Sequence, residues 1–153
     1  MNALRELLYN DILLAGIFSW FVAQVLKTIL YAVINKELDL TRLMGDGGMP
    51  SAHSATVTAV AVMTGLLCGF NSPLFAVACI VGIIVMHDAM GVRLETGKQA
   101  KLLNEMVALF EALGQPKLSI EKKLKEFVGH TPLQVLAGML LGIVVAVVYY
   151  YVM

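Results

Sequence analysis

The chain is poor in charge. Of its 153 residues only 14% are Asp, Glu, Lys or Arg, while 59% are hydrophobic. A soluble domain carries roughly 25% charged residues. The 11 acidic and 11 basic residues cancel, so no surplus of positive charge is present to hold a nucleic acid, and no nucleic-acid partner is expected. Cysteine is scarce as well. Cys68 and Cys79 fall in apolar stretches, without CxxC or Cys/His spacing. That excludes a cysteine metal site and leaves them as small buried hydrophobes. A small-residue cleavage site is missing behind the first apolar run. Arg5 and Glu6 precede a stretch long enough to span a bilayer, so no cleavable signal is expected.

What is present is hydrophobicity in blocks. Mean hydropathy is +0.80, and the apolar residues come in runs rather than alternating, which points to lipid as the solvent. One membrane domain is expected, with spans at about 12–34, 55–68, 74–86 and 131–152. The middle two are short, so each is expected to continue at its polar end. Gln24 and Lys27 lie in the first span. A lysine there is costly, and it either faces the protein interior or snorkels from near the helix end. Tyr149, Tyr150 and Tyr151 look like an interfacial belt.

Two stretches are amphipathic. Leu103, Met106, Val107, Phe110 and Leu113 fall on one helical face, with Lys101 and Glu105 paired on the other. Gly114-Gln115-Pro116 breaks that helix. Ser119 can then cap a second, with Ile120, Leu124, Phe127 and Val128 on one side. The expected fold is therefore all-α: an integral membrane bundle of about four transmembrane helices. Two amphipathic helices, within residues 97–128, lie on its cytoplasmic face. Small-xxx-small pairs occur at Gly65/Gly69 and Gly138/Gly142. The second pair, mid-span in a terminal helix, favours a homodimer contact.

Counting crossings brings distant polar residues together. A polar loop ends in Gly45-Asp46-Gly47-Gly48 and is followed by Pro50-Ser51-Ala52-His53-Ser54, in which Pro suits a first helical turn and Ser an N-cap. His53, Asp88, Arg93 and His130 all fall on the membrane face that holds this loop. So do Lys36, Arg42, Lys98, Lys101, Lys117, Lys122, Lys123 and Lys125, whereas the other face has Arg5. The positive-inside rule makes the polar face cytoplasmic, with both termini outside.

Two histidines at helix N-termini suit an anion, because such ends present unpaired N–H groups and partial positive charge. Arg93, with Lys27 or Arg42, adds ligands for phosphate. One histidine can attack phosphorus while the other protonates the leaving oxygen. Gln134 stands one helical turn after His130 and can orient its ring; Asp88 and Glu126 are alternative carboxylate partners. Metal binding by His53, His87, Asp88 and His130 is the competing reading. No HExxH-like spacing supports it, and no metal or other cofactor is expected.

Gly47-Gly48-Met49-Pro50-Ser51-Ala52-His53-Ser54, Asp88-Ala89-Met90-Gly91-Val92-Arg93, Gly97-Lys98-Gln99-Ala100, Leu103-Asn104 and Gly129-His130-Thr131-Pro132 closely resemble the divergent type 2 phosphatidic acid phosphatase family. The resemblance covers nearly the whole chain. Pro50-Ser51-Ala52-His53 is similar to the superfamily's Pro-Ser-Gly-His motif, with Ala for Gly. That implies His53 as general acid and Ser51 with nearby amides as phosphate ligands. His130 matches the nucleophilic histidine of another motif, where Gln134 replaces the usual aspartate. No arginine precedes His130 at the expected distance; Lys125 is the nearest basic residue. Lys27 and Arg42 lie too far apart to reproduce the remaining motif. The resemblance implies a metal-independent phosphatase of lipid phosphates in a bacterial plasma membrane. Its catalytic residues would be His130, His53 and Asp88. Ser51 would bind phosphate by the resemblance, Arg93 and Lys27 or Arg42 by their place in the topology, and Gln134 would orient His130. The alternative is a non-catalytic membrane protein that binds anionic lipid headgroups or a partner helix.

Overall fold

The computed structural model describes residues 3–37, 48–113, 124, 126 and 128–153, and the regular structure among them is entirely helical. A short helix, α1 (Ala3–Leu8), precedes the first span and is not signalled by the apolar pattern. Helix α2 (Asp11–Asn35) starts where the Asn10 side chain accepts the Leu13 N–H at 3.1 Å. Helix α3 (Ala52–Cys68) is capped by Ser51, whose hydroxyl accepts the Ser54 N–H at 3.3 Å. Pro50 therefore lies before the cap rather than in the first turn expected for it. Ser51 also donates its own N–H to the Gln134 carbonyl, at 3.0 Å, which ties the start of α3 to α6.

Helix α4 (Pro73–Met90) does carry proline in its first turn, behind the Ser72 cap. Only Gly91 separates it from α5 (Val92–Ala112), which begins five residues before the periodicity predicts. Helix α6 (Pro132–Val152) closes the chain. The second amphipathic helix expected after Ser119 falls mainly outside the described residues. Leu124, Glu126 and Val128 are described, and none of them is helical.

Helix α3 is the hub, packing against α2, α4 and α6. It runs antiparallel to α2, with Ala23 beside Ala52 and Ala55, and Gly16 beside Val60. It runs parallel to α6, with Gly138 on Ser51 and Gly142 on Ala55. Phe18 and Tyr149 join α2 to α6 at the opposite end, their rings 6.4 Å apart. The interior is built of small residues such as Ala15, Ala23, Ala55, Ala59 and Ala146, while Ile, Leu, Val and Phe dominate the exposed surface. In water that pattern would be inverted. In a bilayer acyl chains solvate the large side chains, and small ones let backbones approach closely. Among the described residues three helices are long and apolar enough to cross a membrane, and α3 is a shorter apolar one.

Two expectations are corrected by this packing. Gly138 and Gly142 face the same chain's α3. A Cβ on Gly138 would collide with the Ser51 carbonyl oxygen, and one on Gly142 with the Ala55 carbonyl oxygen and with Thr58 Cβ at 2.9 Å. The pair is thus used within one bundle and is not open to a second copy. Cys68 is exposed and Cys79 half-buried rather than buried, because apolar side chains here have lipid to face.

Candidate active site

The site forms where α3 and α6 begin and α4 ends. His53 is the second residue of α3 and is exposed; His130 lies just ahead of α6 and is only 4% exposed. Their ring centroids are 6.2 Å apart. The His130 backbone N–H donates to the Ala89 carbonyl at 2.9 Å, which ties the entry of α6 to the end of α4. A cavity of about 210 Å³ opens between them. His53, Asp88, Arg93 and His130 line it together with the apolar Ile84, Val85 and Val128.

Of the three candidates for orienting His130, Gln134 is the one that reaches its ring. Thr131 caps α6 in a capping box: its hydroxyl accepts the Gln134 N–H at 3.4 Å, and Gln134 Oε1 accepts the Thr131 N–H at 3.0 Å. The same Oε1 lies 3.4 Å from His130 Nδ1. An amide oxygen can only accept, so this contact is a hydrogen bond when Nδ1 carries the proton. The other two proposed orienters are engaged elsewhere. Asp88 Oδ2 pairs with Arg93 Nε at 2.6 Å, in an exposed bridge on the cavity wall. Glu126 Oε1 receives the Asn104 amide at 2.8 Å.

Burial holds the His130 pKa below its ordinary value, and the nearby charges of Lys27 and His53 push the same way. Hydrogen bonds to Gln134 and to the Gly48 backbone oppose them. Burial thus favours the neutral imidazole, the form a nitrogen nucleophile needs.

Lys27 faces inward and is 6% exposed, which decides against snorkelling. Its stem lies against Gly48, where φ is +84° and a Cβ would sit 3.3 Å from Lys27 Cγ. Lys27 also lines a second cavity of about 190 Å³, with Tyr31, Asn35, Gly48 and apolar neighbours. Helix α2 continues from Lys27 to Asn35, so the site is recessed roughly 12 Å below that helix end at about 1.5 Å per residue.

Ser51 is fully buried. Its hydroxyl accepts hydrogen bonds from the Ser54 N–H and the Ser54 hydroxyl, and it lies outside the wall of the histidine cavity. Arg42 and Lys125 lie outside the described residues. His87 is exposed, and among the described residues no group of three His, Cys, Asp or Glu side chains is placed to hold a metal.

Sequence reasoning missed several groups that shape the site. Tyr31 and Asn35 follow Lys27 at four-residue intervals, a signal that is visible but reads equally as an interfacial helix end. Asn104 bonds Leu124 and Glu126, and no local pattern could have revealed it.

Comparison with known proteins extends the picture over almost the whole chain. The model of the Divergent PAP2 family, PAP2 denoting type 2 phosphatidic acid phosphatase, matches residues 8–145. YuiD of Bacillus subtilis (strain 168), described as an uncharacterized membrane protein, is 41% identical over 154 aligned positions, covering 95% of this chain and 98% of the relative. No solved structure matches.

Proposed function

The chain belongs to the Divergent PAP2 family, and from that premise we propose that it is a membrane phosphatase of lipid phosphate monoesters. His130 Nε2 attacks phosphorus, and the bond from phosphorus to the lipid oxygen breaks. Protonated His53 gives its proton to that oxygen, so the lipid leaves as an alcohol. Water, giving a proton back to His53, then hydrolyses the phosphohistidine to inorganic phosphate and restores His130. Arg93, with Lys27 or Arg42, holds the phosphate oxygens, whereas Ser51, expected among these ligands, caps α3 from outside the cavity wall. Asp88 sets Arg93, and Gln134 fixes the His130 tautomer. No metal takes part. Lipid is favoured over a soluble ester because Ile84 and Val85 line the cavity and Leu30, Ile34 and Ile83 are exposed where acyl chains lie. The site is proposed to face the cytoplasm of a bacterium, from the excess of basic residues at that end.

The observation that carries the reading is one pair: exposed His53 6.2 Å from buried, neutral, Gln134-bonded His130. The test is phosphate release from phosphatidate by purified protein in nanodiscs. Wild type should turn over with EDTA present. His130→Ala should be inactive, and His53→Ala slower by roughly 10²–10⁴-fold. Full activity in the His130 variant excludes the nucleophile. Strong inhibition by EDTA excludes the metal-free mechanism.

One observation favours a second reading. Gln134 brings no charge to the ring where the superfamily uses aspartate, as suits a site that binds anionic headgroups without hydrolysing them. Retention on phosphatidate vesicles with no phosphate release would select it.

A further inference from the structure

The chain entering α6 is held on a rail. Asn104, on α5, treats Leu124 as a neighbouring strand would. Its Oδ1 accepts the Leu124 N–H at 3.1 Å, and its Nδ2 donates to the Leu124 carbonyl at 3.0 Å and to Glu126 Oε1 at 2.8 Å. Closer to the site, the carbonyls of Glu126 and Val128 press on Gly97, where a Cβ would come within 2.6 and 2.7 Å of them. Gly129, with φ at +85°, lies flat on the Arg93–Leu94 backbone, where a Cβ would collide with Leu94 N. Last comes the bond from His130 N to Ala89 O at 2.9 Å. The contacts descend in order: residue 124 against 104, residues 126 and 128 against 97, 129 against 94 and 93, and 130 against 89.

Asn104 holds the upper end of this strap at Leu124 and Glu126, and the contacts at Gly97, Gly129 and Ala89 carry it down to His130. Arg93 stands on the same rail, and Asp88 just before it.

We infer that Asn104 is a positioning residue: by fastening the strap to α5 it sets the register of His130 against His53, Asp88 and Arg93. A carboxamide suits this task because it presents one acceptor and two donors in a plane, matching a backbone N–H, a backbone C=O and a carboxylate at once. This deepens the phosphatase reading and rests on it for the kinetic arm of the test alone.

The test uses full-length Asn104→Ala, Asn104→Asp and the exchange Asn104→Asp/Glu126→Gln, with phosphatidate in nanodiscs. A misplacement of about 1 Å costs roughly 10²-fold in rate. The two single variants should therefore lose about 10–100-fold in kcat, with KM changed less than about twofold. The exchange variant swaps the carboxamide and the carboxylate between the two positions. The amide introduced on the strap can then donate to the carboxylate introduced on α5, so kcat should rise above that of Asn104→Asp. The second arm needs no turnover: ring-15N-histidine NMR of His130, assigned by His130→Asn. Its Nδ1-protonated signal should move in Asn104→Ala and return towards wild type in the exchange variant. Wild-type kcat in Asn104→Ala, or an unmoved His130 signal, overturns the inference. So does an exchange variant no better than Asn104→Asp. A wild-type protein without phosphatase activity sinks the functional reading, and the His130 signal still decides the positioning role.

Discussion

Helices α3 and α4 are nearly equal in length, 17 and 18 residues, and both are apolar, yet they sit in opposite environments. Helix α3 buries Ala52, Ser54, Ala55, Thr58, Ala59, Ala61, Met63, Thr64 and Gly65. Helix α4 buries only Gly82 and Ala89 and turns Leu74, Val77, Ile80, Val81, Ile83 and Ile84 outward. The more hydrophobic helix is the exposed one. In lipid, burial follows smallness, because no hydrophobic force distinguishes a leucine against a neighbour from a leucine against an acyl chain. The site inherits the contrast. The α3 end supplies His53 beside the enclosed His130, whereas the α4 end supplies Asp88 and Arg93 as an exposed ion pair.

The strongest way to break the contrast is Gly142→Leu. Its first new atom would meet the Ala55 backbone carbonyl, which cannot move aside as a side chain would. The cost should exceed the roughly 1–3 kcal/mol of ordinary overpacking. The variant is expected to lose its folded population, read by size-exclusion monodispersity and protease resistance in detergent. Met63→Ala comes next. Among the described residues Met63 is the largest fully buried side chain, and buried Met→Ala costs about 2–5 kcal/mol. The low end is expected here, since the transfer contribution shrinks in lipid while the cavity remains. Denaturant titration measures it.

Lys27→Met probes the enclosed polar end. Lys27 helps lower the His130 pKa, so removing its charge raises it. In the proposed mechanism His130 must be neutral to attack, and the acid limb of kcat/KM should therefore move to higher pH. An unmoved limb would show that Lys27 does not act on the nucleophile. Ile83→Ala should do least. It is 58% exposed on α4, and a change within about 0.5 kcal/mol is expected. A loss near that of Met63→Ala would mean that α4 is covered by protein after all.

Much of this architecture is legible in residue patterns, because lipid imposes a length on each span and a polar interruption between spans. Counting crossings was enough to bring His53, Asp88, Arg93 and His130 to one end. Other features carry no local signature. The early start of α5 escaped because Arg93, Glu95 and Lys98 hide the helical period. The inward turn of Lys27 depended on Gly48, a partner 21 positions away. The choice among Gln134, Asp88 and Glu126 depended on which of them was already engaged, and only Gln134 sits one turn from His130 with its oxygen at the ring.

By itself, then, the sequence determined the membrane, the helical class, the approximate spans and the pair of histidines at one end, since each follows from composition or period along the chain. Tertiary structure alone decided that Gly138 and Gly142 meet α3 rather than a second copy. It alone brought the Gln134 oxygen to the His130 ring and Asn104 to Leu124 and Glu126. Small residues announce that a backbone comes close, and polar ones that a partner exists. Which backbone and which partner are settled by contacts between residues far apart in the chain, and those are fixed only when the helices pack.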